Sequence, residues 1–503
     1  MLTPVTDIED AMVKALRVDP RDGVATLLHD ALAGEVVTVG EDAWVLSADI
    51  GRGHKVALAP IEAGEPVLKY GFPIGTATQP IAPGTHVHSH NLKTGLEGTL
   101  AYRFDPVDTA SAPGASAATF EGYVRADGSV GTRNEIWILS TVGCVARTAE
   151  RIAAKAAALV GDSVDGVHAF THPHGCSQLG QDLEGTRTIM ASLACHPNAG
   201  GVLIVGLGCE ENQIKSLLAT IPESRHGMIR TLTTQVSGNE IAEGCALVAE
   251  LAALASARRQ TVGLDKLVLG VKCGGSDGLS GLTANPLVGR MSDRVTSAGG
   301  RVLVTEIPEI FGAEQMLMNR AASEPVFDRI VAVVNDFKRY FLDHGETVSE
   351  NPSPGNVVGG ITTLEEKSLG AVQKAGRAAV ADVIEYGARV RIDGLTLLEA
   401  PGNDAVSSTA LAAAGATAIL FTTGRGTPLG FPVPTIKIAS NTDLATRKPG
   451  WIDFDAGAVL EDGFLATEEA LLARIMQVAS GAETAAERNG EREIAIWKRG
   501  VTL

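Results

Sequence analysis

The sequence predicts an α/β protein in which a small N-terminal β-rich domain precedes a large body of two doubly wound α/β units. Three observations lead there. From residue 136 onward short apolar runs alternate with alanine-rich stretches of helical length, the pattern of parallel strands joined by helices. Four of those runs, 136–140, 167–170, 202–205 and 267–271, lead into loops that carry Cys144, Cys176, Cys209 and Cys273. Residues 1–106 read differently, as brief β-rich runs between glycine turns.

Length and composition narrow the class. A chain of 503 residues has room for two or three domains, each with its own core. With 45% hydrophobic and 20% charged residues it has the composition of a globular enzyme, and 57 glycines imply many tight loops. A formal charge of −17 argues against general binding to nucleic acid or anionic membranes, so an anionic substrate needs local basic groups. No apolar run reaches the roughly 20 residues that span a bilayer, and the N-terminus lacks a basic-then-apolar signal pattern, so a cytoplasmic location is expected. Six cysteines without a close CxxC pair do not make a disulfide framework.

Taken in order, 7–16 reads as a short amphipathic helix, followed by strands near 35–39, 43–46, 55–58 and 66–69. The small domain ends in His86-Val87-His88-Ser89-His90-Asn91. Residues two apart in a strand share a face, which would align His86, His88 and His90 as ligands for iron, manganese or zinc, or as proton carriers. Arg52, His54 and Lys55 add cationic groups. The small, polar, proline-containing stretch 107–119 reads as a linker, dividing the chain into 1–106, 120–260 and 261–503.

In the body, helices are expected near 144–159, 186–193 and 241–256. The stretch 267–286 reads as strand, glycine loop and helix, with Asn285-Pro286 as the helix start. Glycine loops crowd backbone N–H groups around an anion at a strand end, where open α/β sheets bind ligands. The further strands 301–305, 395–398 and 418–421 lead to loops carrying Asn403 and Arg425, and Arg425 can grip a carboxylate through two parallel hydrogen bonds. The phosphate-loop spacing is absent, and no GxGxxG follows a strand.

The motifs GYVRADGSVGTRN, HPHGCSQLG, HPNAGGVLIVGLGCEENQ, KCGGSDGLSGLTANP, NPSPGN and FTTGRGTP, in that order, resemble the altronate and galactarate dehydratase family of sugar-acid hydro-lyases. The N-terminal part is similar to the family's SAF (β-clip) domain, and HVHSHN is similar to its altronate branch. Cys144, Cys176, Cys209 and Cys273 fall inside the family motifs; Cys195 and Cys245 do not. The resemblance implies dehydration of altronate or a related aldonate to a 2-keto-3-deoxy acid, assisted by Fe(II) or Mn(II). A galactarate-type aldarate dehydratase, a sulfolactate-type lyase and a non-catalytic sugar-acid-binding protein are the alternatives.

That chemistry sets requirements. Taking the C2 proton beside a carboxylate builds negative charge that a divalent metal can offset, and a base near C2 and an acid near C3 are also needed. His54, His88 and Lys272 are the candidates for proton transfer. Arg52, Arg133, Asn285, Asn403 and Arg425 are the candidate substrate-binding side chains. The metal set is drawn from His86, His88, His90, Cys144, Cys176, Cys209 and Cys273. An iron–sulfur cluster stays open as a further cofactor, because three distant cysteines can meet in space without a familiar cluster spacing. The expected partner is a small sugar acid, with no nucleic acid or membrane, and the chain is expected to form a homo-oligomer.

Overall fold

The computed structural model describes residues 13–109 and 117–502. The small domain consists of two β sheets. One has six strands in the spatial order Asp42–Val45, Val36–Val39, Val13–Leu16, Val24–Leu27, Lys55–Ala57 and His86–Val87; the other runs Pro66–Lys69, Phe72–Ala77 and Leu92–Lys93. The part of the expected first helix that is described, Val13–Leu16, is a strand, pairing parallel with Val36–Val39 and antiparallel with Val24–Leu27; residues 7–12 lie outside the described residues. Sheet pairing on both sides outweighs the helical periodicity of so short a segment.

The histidine run is not one strand. Only His86 and Val87 pair in the sheet, and the chain then turns as Asn91 N donates to His88 O and His88 N to Asn91 Oδ1, both at 2.9 Å. Of the expected linker, 110–116 lie outside the described residues. The approach to it is pinned to the body: Leu100 exchanges hydrogen bonds with Asn335, Phe104 stacks on Phe327 at 5.1 Å, and Val107 N donates to Asn319 O.

The body holds two all-parallel sheets. The first comprises β1 (Glu135–Ser140), β2 (Gly166–Phe170), β3 (Ala199–Gly206) and β4 (Ile229–Thr233) in the order β2-β1-β3-β4. Strand alternation splits β1 between two cores. Ile136 and Ile138 pack under α1 (Ala146–Val160) and α3 (Glu240–Leu254), whereas Trp137 and Leu139 face α2 (Gly180–Ala194). The second of these cores also takes in Leu303, Leu398, Ile419 and Phe421 of the other sheet, so the two units share apolar packing.

The second sheet comprises β5 (Val268–Cys273), β6 (Arg301–Val304), β7 (Val380–Ile384), β8 (Gly394–Leu398), β9 (Ala418–Thr423), β10 (Thr435–Ala439) and β11 (Phe454–Asp455), in the order β7-β8-β6-β5-β9-β10-β11. After β5 the chain builds outward on one side through β6, and later on the other side through β9. The order therefore reverses between β5 and β9, and the crevice beyond their carboxyl ends is where such a sheet takes its ligand. No helix among the described residues is long and apolar enough to cross a membrane.

Candidate active site

The loops at the reversal point mesh. Gly274 N donates to Thr422 O at 3.0 Å, and Gly424 N and Arg425 N both donate to Gly275 O at 3.1 Å. Asp277 is the hub of the crevice: its Oδ1 accepts from the hydroxyls of Ser280 and Ser440, each at 2.8 Å, and its Oδ2 accepts from Asn441 Nδ2 at 3.0 Å. Arg425 is exposed, and its guanidinium has no protein partner among the described residues. An unpaired arginine beside a glycine loop is equipped for an anion.

The small domain closes over this crevice. Gly278 N donates to Gly359 O, and Gly278 lies so close to the Gly53 carbonyl that any side chain on it would strike the backbone. Gly53 itself has φ 83°, the left-handed region that glycine tolerates. Arg52 forms an ion pair with Asp443 at 2.5 Å. Lys55 and Lys69, fully buried, share the carboxylate of Glu366 at 2.8 and 2.9 Å. The paired lysines hold Glu366 well below the usual carboxylate range, at about 2, against the upward pull of burial. Two ammonium groups on one carboxylate leave a positive excess, and burial draws Lys55 down to about 8 while Lys69 stays raised.

Docking brings four imidazoles together. The ring centroids of His54, His86, His88 and His90 stand 5.1–5.5 Å apart in successive contacts. His54 Nε2 lies 3.2 Å from Val358 O and His88 Nε2 3.1 Å from Val357 O. Carbonyls only accept, so both Nε2 atoms carry hydrogen. His54 Nδ1 is then the acceptor facing His86 Nε2 at 3.0 Å, and His86 donates. Burial, followed by repulsion from neighbouring cationic groups, depresses His86 to about 3 and His88 to about 4, so the rings are neutral near pH 7. Val357 and Val358 also border a cavity of ≈ 750 Å³ lined by Pro308, Phe341, Val348 and Asn351.

A second group of charges lies deeper, at the ends of β5 and β6. Lys272, fully buried, pairs with Asp404 at 2.7 Å and with Glu306 at 3.1 Å. Lys374 donates to Cys273 Sγ at 2.7 Å, and Lys367 pairs with Glu309 at 2.9 Å. Glu306 sits at φ 68°, a strained conformation for a side chain of its size. Cys273, Glu306 and Glu309 bring ligand atoms within 4.8 Å of one another. The charges there are already matched: three lysines face Glu306, Glu309 and Asp404, and burial pushes the Cys273 thiol up to about 12.

Several expectations are redrawn by these contacts. Lys272 is held protonated by Glu306 and Asp404, which removes it as a base near neutral pH. Arg133 is buried, paired with Glu487 at 2.9 Å and spent on the carbonyls of Thr132, Val478 and Ala482, so it braces the body instead of facing substrate. Asn285 lies inside the helix Ala284–Ser297, after Thr283, and its amide ties Thr422 Oγ1 to Gly370 O. Asn403 caps the helix Asp404–Ala413 by accepting from Ala405 N and Val406 N. Cys273 ends a strand of the second sheet, apart from the exposed Cys144, Cys176 and Cys209 on the first. Among the described residues the seven expected metal ligands do not assemble as one site.

Sequence reasoning missed Asp277, Asn441 and Asp443 in the crevice, and Glu306, Glu309, Lys367 and Lys374 below it. The one readable signal was Asn441, which follows the buried strand β10 and caps the helix Thr442–Arg447.

A parallel sheet that presents glycine loops, an arginine without a protein partner among the described residues, and a cluster of imidazoles at its reversal point has the groups to hold a small anion beside proton carriers. Comparison with known proteins narrows the class. The model of the altronate/galactarate dehydratase SAF domain matches residues 13–95, that of the D-galactarate dehydratase/altronate hydrolase second domain matches 122–256, and that of the D-galactarate/altronate dehydratase C-terminal domain matches 264–502. The chain is 46% identical to the altronate dehydratase of Bacillus subtilis (strain 168), over 98% of this chain and all of the relative. It is also 46% identical to the altronate dehydratase of Escherichia coli (strain K12), over 97% and 99% of the two chains. Identity to the L-threo-forming galactarate dehydratase of the latter organism is 35%, over 93% and 92%. The chain belongs to the altronate/galactarate dehydratase family, and it is a hydro-lyase.

Proposed function

We propose that the substrate is a sugar acid, altronate or a related aldonate, and that the product is a 2-keto-3-deoxy acid formed with the help of Fe(II), or alternatively Mn(II). The observation that carries the reading is the four-imidazole cluster docked over the reversal point, a few loops from Arg425, whose guanidinium has no protein partner among the described residues. The 46% identity to altronate dehydratases supports the choice of acid.

The histidine cluster fits a divalent cation on two counts. Burial holds His54, His86 and His88 towards the neutral form that ligation demands. His54 Nδ1 and His86 Nε2 are 3.0 Å apart, close enough for one ion to bind both. An ion held by both nitrogens would displace the proton they share, which His86 would then carry on Nδ1. The Cys273, Glu306 and Glu309 group fits less well, because three lysines already neutralise its surroundings. His54 and His86, with His90 beside them, would therefore hold the ion. When bound, it supplies positive charge against the anion left at C2, and it favours departure of the C3 hydroxyl.

The remaining work falls to the chain's own side chains. Arg425 fixes the substrate carboxylate. The Asp277–Asn441 pair and the Arg52–Asp443 ion pair hold the floor and the edge of the crevice in place. A ring nitrogen of the cluster accepts the C2 proton, aided by the bound carboxylate, whose negative charge raises imidazole basicity towards neutrality.

An anaerobic assay of aldonates and aldarates with Fe(II) or Mn(II), reading 2-keto-3-deoxy acid, tests the reading. Altronate or a close aldonate is expected to turn over fastest. Turnover of aldarates alone, or full turnover in metal-stripped protein, would overturn it.

A further inference from the structure

Cys144, Cys176 and Cys209 are exposed, and the other three cysteines are buried. Each exposed cysteine stands in the loop after one of three neighbouring parallel strands, β1, β2 and β3. The loops interlock. Gly143 N donates to His174 O at 2.9 Å, Asn212 N to Gly175 O at 3.3 Å, Ser177 N to Glu211 Oε2 at 2.6 Å, and Asn212 Nδ2 to Thr141 O at 3.2 Å. Gly175, at φ 94°, presses on the Thr141 carbonyl so closely that a side chain there would strike it. The residues beside all three thiols are thus bonded into one surface.

Free cysteine is among the residue types most often buried, so three exposed thiols gathered at one sheet end are not explained by packing. A second observation points to an occupant. In the same segments Ser140 Oγ, Gln178 Nε2 and Asn212 Oδ1 are buried without a hydrogen-bond partner among the described residues, a state that buried polar groups seldom keep.

Geometry selects the class of ligand. Three sulfurs around one tetrahedral ion, about 2.3 Å from it, stand about 3.8 Å apart. Among the described residues these thiols do not form a set of ligand atoms within 4.8 Å. A polynuclear cluster assigns each thiolate to a different iron and so takes wider-spaced sulfurs.

We propose that Cys144, Cys176 and Cys209 hold an iron–sulfur cluster of the four-iron, four-sulfide type, with one iron left for a ligand other than cysteine. No fourth cysteine is positioned for it: Cys195 and Cys245 lie in apolar cores, and Cys273 is bound to Lys374 in the other sheet. Ligation takes two ferrous ions, two ferric ions and four sulfides from outside and releases the three thiol protons, so neither the cysteine sulfurs nor the iron changes oxidation state. The cluster is separate from the cation proposed at the histidines, and acid-labile sulfide is a readout that a histidine-held cation does not give.

The test is to purify the protein anaerobically, reconstitute it with equal amounts of ferrous and ferric iron and with sulfide, and measure bound iron, acid-labile sulfide and visible absorption. Wild type is expected to hold iron and sulfide in about equal amounts with broad visible absorption. Cys144→Ser, Cys176→Ser and Cys209→Ser should each lose most of the sulfide and colour, while Cys245→Ser and His86→Ala keep both. Wild-type protein without acid-labile sulfide overturns the proposal whatever the variants do, and so does full sulfide retention in the three serine variants. Lost sugar-acid turnover with an intact cluster would count against the proposed function alone.

Discussion

His86 joins the sheet of the small domain to the other imidazoles, touching His54, His88 and His90. Replacing it with alanine should lower kcat by about 100-fold or more, the scale of a lost proton-transfer or metal-holding group, and leave the melting temperature close to that of wild type because the ring is only partly buried. Steady-state kinetics beside a thermal melt checks both halves. Arg425 should behave differently. With no protein partner to lose among the described residues, Arg425→Ala should raise KM by roughly 10- to 100-fold, the equivalent of about 1.5–3 kcal/mol for charge-assisted hydrogen bonds, with a smaller effect on kcat. An unchanged KM would remove it from the carboxylate. Of the residues named from sequence, Arg425 kept a guanidinium without a protein partner among the described residues, and the side chains of Arg133, Asn285 and Lys272 are taken up by partners. The difference is physical: a side chain's partners lie hundreds of positions away, as Glu487 does from Arg133, and no local spacing announces them.

Among the elements, the seam between the small domain and the helix Leu364–Ala371 decides whether the histidines reach the crevice. Glu366 anchors it by accepting from Lys55 and Lys69. Glu366→Gln leaves two buried ammonium groups without their counter-ion and should cost about 3–5 kcal/mol, seen as a lower melting temperature together with reduced turnover. The pH dependence follows from the same carboxylate. Its pKa falls from 4.5 to about 2 on folding, so between those values the unfolded chain binds more protons than the folded one. Its stabilisation is complete above pH 4.5 and fades as pH falls towards 2. Melting temperature should therefore drop over that window more steeply in wild type than in Glu366→Gln, and parallel curves would refute the assignment. The strands and glycine loops of this region were legible because apolar runs and glycine punctuation are local signals. The seam was not, since Lys55, Lys69 and Glu366 carry no pattern until the fold brings them together.

For the whole molecule, the proposed function rests on the reversal between β5 and β9 with a β domain laid across it. The alternation of strands and helices made the two-unit body readable, and the glycine loop after β5 marked the ligand end. Metal grouping was less legible. Seven cysteines and histidines looked like one pool, and the fold divides them into imidazoles at the second sheet, one buried thiol beneath them and three exposed thiols on the first sheet. Strand position tells which end of a sheet a residue occupies, but it does not tell which sheet.

The measurement that bears most directly on the histidine-held cation is Mn(II) binding to metal-stripped protein, followed by electron paramagnetic resonance together with altronate turnover, in wild type, His54→Ala and His86→Ala. The expected result is stoichiometric Mn(II) binding that restores turnover in wild type, with both lost in the two variants while their folds persist. Equal Mn(II) binding by all three proteins, or turnover restored in the variants, would contradict the site.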